Sequence, residues 1–92
     1  MEGTFVVYIL QNPSGKRYMG MTSNIDRRLE SHNEGFSTYT RKKGPWDLIW
    51  KSRELSHADA STLEKQLKKQ HGGKGLKTLM ELHGDYSSLQ DL

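Results

Sequence analysis

Apolar positions in this chain fall into three short blocks with a period of two and three longer ones with a helical period. Residues 5 to 11, FVVYILQ, are β-branched and aromatic and predict a strand, with Phe5, Val7 and Ile9 on one face and Val6, Tyr8 and Leu10 on the other. Both faces are apolar, which predicts a central strand. Asn12-Pro13-Ser14-Gly15 has the chemistry of a turn, because Pro presets φ and Gly15 tolerates a positive one. A second strand over Lys16 to Met21 would complete a hairpin, and Gly20 inside it marks a close approach by a backbone or a ligand. Residues 46 to 53, WDLIWKSR, predict a third strand with Trp46, Leu48 and Trp50 sharing one face.

The longer blocks predict helices. Thr22, Ser23 and Asn24 suit an N-cap and Asp26 adds negative charge to the first turn, so a helix is expected from about Asn24 to Asn33, ended by Gly35. Its inward stripe is Ile25, Arg28, Leu29 and His32. Ser56 followed by Asp59 resembles a capping box and opens a second helix running to about His71, with the stripe Ala60, Leu63, Glu64, Leu67 and His71. Gly72 and Gly73 stop it, and Leu76, Leu79, Met80 and His83 predict a short third helix. Residues 84–92 read as a loosely held, flexible tail, which leaves one domain over residues 1–83.

Composition narrows the picture. There is no cysteine, so neither a disulfide framework nor a thiolate zinc site is available and stability must come from packing. A cytoplasmic protein is expected, since the N-terminal apolar run follows an acidic residue and is too short for a membrane span. The net charge is only +3, but the cations cluster: Arg41, Lys42 and Lys43 in a polar loop that also holds Tyr39, then Lys65, Lys68, Lys69, Lys74 and Lys77. Clusters of this kind attract a polyanion such as nucleic acid, and equally serve as solvated faces.

Several polar groups then stand out against these apolar faces. Tyr8 and Tyr18 lie ten positions apart on paired strands, Arg28 and His32 lie one turn apart, and Glu64 interrupts an apolar helix stripe. A carboxylate there is costly to desolvate without a cation, a metal or hydrogen-bond donors. Two readings are open for each. The tyrosines serve as core aromatics with hydrogen-bonded hydroxyls or as reactive groups, and Arg28 with Glu64 forms an interhelical ion pair or belongs to a site. His57, His71 and His83 have no zinc-site spacing, and Trp46 and Trp50 read as core.

Taken in order, these segments resemble the GIY-YIG nuclease superfamily, in particular small stand-alone members similar to the N-terminal nuclease of bacterial excision repair. Val6-Val7-Tyr8 stands at the first motif and Tyr18-Met19-Gly20 at the second. Asp26-Arg27-Arg28-Leu29, His32-Asn33, Thr40-Arg41, Leu48-Ile49-Trp50 and Leu63-Glu64-Lys65 follow, so the resemblance covers about Phe5 to Met80. Val6 replaces the first glycine of the name motif, while Val7 and Met19 replace isoleucines.

The resemblance implies an α+β fold, a single small domain whose three-stranded, mainly antiparallel sheet is flanked by helices. It also implies a metal-dependent endonuclease acting on DNA in repair, recombination or mobile-element processing, with RNA an open substrate. Tyr8 would be the general base and Tyr18 would position water or phosphate. Arg28 would neutralise the phosphoryl transition state, His32 would orient or relay a proton, and Glu64 would hold Mg²⁺ or Mn²⁺. Arg27, Arg41, Lys42, Lys43, Lys65 and Lys68 are the expected nucleic-acid contacts. A non-catalytic binding module, or a domain targeted by a protein partner because 92 residues leave no room for a targeting module, are the competing expectations.

Overall fold

The chain folds around its most apolar segment. Val6–Gln11 forms β1, and all of its residues except Gln11 are buried. The Asn12–Gly15 turn closes with a Gly15 N–H to Asn12 carbonyl bond of 2.9 Å, and Gly15 takes a φ of 85°. It returns the chain into β2, Arg17–Thr22, which pairs antiparallel with β1 so that Tyr8 faces Gly20. A computed structural model describes residues 4–35, 43–70 and 74–87. Tyr39, Arg41, Lys42 and His71 lie outside the described residues.

After β2 the chain enters α1, Ile25–Asn33, capped by the Asn24 side chain accepting from the Arg27 N–H. Gly35, at a φ of 81°, ends it. β3, Asp47–Ser52, pairs antiparallel with the other edge of β1, and α2, His57–Lys69, follows from its Ser56 cap. α3, Lys74–His83, runs directly into β4, Gly84–Ser87, which pairs antiparallel with β3. The strand order is therefore β2-β1-β3-β4, all antiparallel.

Three expectations change here. The sheet has four strands, because residues 84–87 of the expected tail form β4 along β3. This strand was illegible because all four of its residues are exposed, so its placement rests on main-chain pairing rather than on a buried apolar face. Trp50 does not share a face with Trp46 and Leu48. Ile9 pairs with Trp50 and Leu10 with Leu48, so Ile49 is an extra residue on β3, and this bulge turns the strand over between Leu48 and Trp50. Helix α2 also ends earlier than its apolar stripe suggested, with Gln70 as its C-cap.

The sheet has a core on each face. Val7, Ile9, Ile49 and Trp50 pack with Ala60, Leu63 and Leu67 of α2 and with Leu76 and Met80 of α3. On the other face Tyr8, Leu10 and Trp46 pack under Ile25 and Leu29 of α1. Two asparagines fasten the chain entering β3 on this second side. Asn33 accepts from the Trp46 N–H at 2.6 Å and donates to the Trp46 carbonyl at 3.1 Å. Asn12, buried, donates to the Lys43 carbonyl at 3.0 Å and accepts from the Lys16 N–H at 2.8 Å. Both therefore hold the segment that closes the basic loop, a role that no local pattern signals. No helix among the described residues is long and apolar enough to cross a membrane.

Candidate active site

Tyr8 is the inner member of the polar cluster. It lies on the central strand with its ring 1% exposed, facing α1 rather than α2 and α3. The register sets it opposite Gly20, and the pairing needs glycine: a Cβ at residue 20 would stand 2.7 Å from the Tyr8 hydroxyl and 2.9 Å from Cζ. The close approach expected at Gly20 is thus by a side chain of the neighbouring strand. Replacing Gly20 with Ala is expected to push the Tyr8 hydroxyl out of place. Overpacking of this kind costs about 1–3 kcal/mol. Urea unfolding of Gly20→Ala followed by far-UV circular dichroism checks this, and an unchanged stability would show that the added methyl is accommodated.

The Tyr8 hydroxyl has two partners from α1. Arg28 donates Nε–H to it at 3.3 Å, and His32 Nε2 lies 3.0 Å away. Arg28 can only donate, so the Tyr8 oxygen accepts from it, and the His32 tautomer sets whether the phenol O–H or the imidazole N–H donates across the 3.0 Å contact. Arg28 and His32 reach the same atom because residues four apart share a helix face.

Burial governs the protonation of both rings. Desolvation raises the Tyr8 pKa above the ordinary 10.0, against the lowering effects of the Arg28 hydrogen bond and charge. His32, also 1% exposed, titrates below the ordinary 6.5, first because it is buried and then because Arg28 is nearby. At neutral pH the imidazole is therefore neutral and the phenol keeps its proton. The Arg28 guanidinium is held charged chiefly by its bond to Tyr8 and is tied to the Tyr18 hydroxyl as well.

Tyr18 is the more open of the two tyrosines. It is half-buried on edge strand β2, and its ring stands 4.8 Å from that of His32 and 6.3 Å from that of Tyr8. It lines a groove of about 420 Å³ with Arg17, Met19 and Lys68. On the outer side of α1, Arg27 and Arg28 line a cavity of about 450 Å³ with Thr22, Asn24 and Ser31 and with the carboxylates of Glu30 and Glu34. Arg28 is therefore shared between the buried Tyr8 and an open surface.

Glu64 comes from α2, which packs on β2 and β1. Its charge reaches Tyr8, where it raises the phenol pKa. Its side chain is 19% exposed and pairs with Lys68 Nζ at 3.1 Å. Among the described residues its ion pair is with Lys68 and not with Arg28, so the interhelical ion pair is not formed. Lys65 and Lys68 are exposed on α2, Arg27 on α1 and Lys43 ahead of β3. The structure thus brings Tyr8, Tyr18, Arg28 and His32 into one cluster, whereas Glu64 comes from α2, which packs on the face of the sheet opposite Tyr8, and its charge is the smallest of the influences on the Tyr8 hydroxyl.

No group of three or more His, Asp or Glu side chains that could hold a metal ion gathers among the described residues. Mg²⁺ keeps several waters and is commonly held by one or two carboxylates plus substrate phosphate. Glu64, a partly open carboxylate, has the chemistry for that mode, and a cation there would have to displace the Lys68 ammonium that lies 3.1 Å from it.

Comparison with known proteins places the chain in a family. The GIY-YIG catalytic domain family matches residues 4–77. A UPF0213 protein of Photorhabdus laumondii is 40% identical over 68 residues, covering 73% of this chain and 65% of that protein. A UPF0213 protein of Nitratidesulfovibrio vulgaris is 34% identical, covering 91% of this chain and 77% of the relative. Structure-specific endonuclease subunit slx1 of Xenopus laevis is 39% identical over 57 residues, which span 53% of this chain and 20% of that protein. The solution structure of a UPF0213 protein from Bacillus halodurans superposes with a TM-score of 0.51 at 31% identity, covering 88% of this chain and 86% of that one. With the family model matching residues 4–77, the chain belongs to the GIY-YIG catalytic domain family.

Proposed function

We propose that this protein is a metal-dependent endonuclease that hydrolyses phosphodiester bonds in DNA. The observation that carries the reading is the Tyr8 hydroxyl held between Arg28 at 3.3 Å and His32 at 3.0 Å. A tyrosine is ordinarily a poor base near pH 7, with a pKa of about 10. With His32 in the tautomer that accepts at Nε2, that obstacle is removed: as Tyr8 takes a proton from the attacking water on its remaining lone pair, it passes its own proton to His32 Nε2, so no free phenolate accumulates. The resulting hydroxide forms the new P–O bond, the bond to the leaving oxygen breaks, and that oxygen takes a proton from solvent.

Arg28 is placed to neutralise charge that builds on the phosphoryl oxygens, because it faces both Tyr8 and the open surface of α1. Tyr18 orients the phosphate or the water from the edge strand. Glu64 is the ligand for Mg²⁺ or Mn²⁺. Such a cation, when bound, stabilises negative charge on the phosphate and acidifies water. Arg27, Lys43, Lys65 and Lys68 meet the flanking backbone, together with Arg41 and Lys42.

The test is nicking of supercoiled DNA with Mg²⁺ or Mn²⁺ and with chelator. Wild-type protein is expected to nick only with metal, and Glu64→Ala is expected to lose about 10²-fold or more of that activity, the scale of losing a main electrostatic contributor. Equal activity of the two proteins removes Glu64 from the mechanism. Intact DNA with a salt-dependent mobility shift would favour a binding module instead.

A second reading concerns targeting. The Xenopus relative is named a subunit, and its match with this chain covers 20% of its length. By analogy we place this domain beside a protein partner that selects the substrate. Cleavage of branched DNA that appears only when a co-purified partner is added supports that reading, and full structure selectivity of the isolated chain refutes it.

A further inference from the structure

Lys68 stands where two parts of the molecule meet. Its ammonium lies 3.1 Å from Glu64 Oε2, yet its side chain is 56% exposed, whereas that of Glu64 is 19% exposed. The same lysine lines the groove of about 420 Å³ at the edge of β2 with Arg17, Tyr18 and Met19. Arg17 is held at that edge by its Nε–H bond to Gln11 Oε1 at 3.0 Å, across the strand pair in which the two residues face each other. An exposed guanidinium and an exposed ammonium therefore flank a groove that leads past Tyr18, and one of these two cations is also the partner of the carboxylate.

A single ammonium cannot serve both neighbours fully. While it sits on Glu64 it occupies the carboxylate and repels an approaching divalent cation. A backbone phosphate entering the groove offers it a second anion. From this arrangement we infer that Lys68 is a positioning residue that moves between two anions: it covers Glu64 in the free protein and shifts to a nucleic-acid phosphate beside Arg17 when substrate enters. Nucleic acid thereby uncovers the carboxylate for the divalent cation, so occupation of the two is coupled. Because linkage is reciprocal, a bound divalent cation likewise frees Lys68 for the phosphate. The pairing is an i,i+4 contact whose lysine is exposed although its carboxylate is mostly covered, and pairs of this spacing are weak enough to exchange.

The inference rests on Glu64 as the cation ligand, and the experiment separates the two. Mn²⁺ binding to the free protein is titrated by electron paramagnetic resonance for wild type, Lys68→Met, Lys68→Arg and Glu64→Gln. Exposed ion pairs of this kind correspond to about a two- to fivefold change in affinity, so Lys68→Met is expected to tighten Mn²⁺ by that factor and Lys68→Arg to behave as wild type. In parallel, binding of a short labelled DNA oligonucleotide is followed by anisotropy over a salt series with chelator present. Lys68→Met is expected to weaken it and to reduce the salt slope by about one. An unchanged Mn²⁺ affinity or an unchanged salt slope in Lys68→Met overturns the inference while leaving Glu64 as ligand. If Glu64→Gln binds Mn²⁺ as wild type does, the cation site itself is misplaced.

Discussion

Tyr8→Phe is expected to lower metal-dependent cleavage by about 10² to 10⁴-fold, the range for losing a general acid–base group. The substitution keeps the ring that packs with Leu10 and Trp46 and removes only the atom that Arg28 and His32 share. Thermal and denaturant stability should therefore fall far less than activity, by about 1 kcal/mol for a hydrogen-bonded hydroxyl. A Tyr8→Phe protein that cleaves as wild type would place the hydroxyl among structural contacts. The pH profile adds an independent check. His32 titrates below the ordinary histidine value because it is buried and near Arg28, so the proton acceptor stays neutral at pH 7. Cleavage should lose rate only as pH falls below about 6.5 and protonation fills Nε2. Tyr8 titrates above its ordinary value, so with the relay intact the rate should be level between pH 7 and 9. A rise of about tenfold per pH unit across that interval would instead indicate a pre-formed anion as the base and exclude His32 as acceptor.

Trp50→Ala is expected to be the most damaging change to the fold, at about 3–5 kcal/mol. The indole is 1% exposed in the larger core, and its Nε1–H donates to the Met80 carbonyl at 3.1 Å. Gly84 lies against it: a Cβ there would meet Nε1 at 2.7 Å. Trp50 thus supports the junction at which α3 ends and β4 begins, and truncation leaves a cavity together with an unpaired carbonyl. Domains of this size have a total stability of about 5–15 kcal/mol, so much of it would be lost. Urea unfolding followed by circular dichroism measures the change, with Trp50→Phe as the control that removes the donor and keeps most of the apolar volume. A loss below about 1 kcal/mol in Trp50→Ala would mean that the junction is held elsewhere.

How much was legible in the sequence follows from the range of each interaction. The hairpin, the two capped helices and the pairing of Arg28 with His32 on one face are local, set by turn chemistry, capping and helical spacing. They stand where the pattern put them, apart from the C-terminal end of α2. The bulge at Ile49 was hidden because an alternating pattern carries no mark of one extra residue, and it alone separates Trp50 from Trp46 and Leu48. β4 was hidden because all four of its residues are exposed and strand pairing is main-chain chemistry. The asparagine clasps were hidden for a third reason: Asn33 and Trp46 are thirteen residues apart and Asn12 and Lys43 thirty-one, beyond any local signal.

The candidate site divides along the same line. The sequence by itself determined which residue types could take part, since two tyrosines, an arginine, a histidine and one carboxylate stand at unusual places on otherwise apolar faces. It also determined which of them share an element. Only the tertiary structure decided who touches whom. Strand register set Tyr8 against Gly20, helix packing brought Arg28 and His32 to one phenol oxygen, and α2 gave Glu64 to Lys68 rather than to Arg28. The physical reason is that residue spacing limits the face on which a side chain lies, whereas a hydrogen bond or an ion pair depends on a few tenths of an ångström between elements distant in the chain.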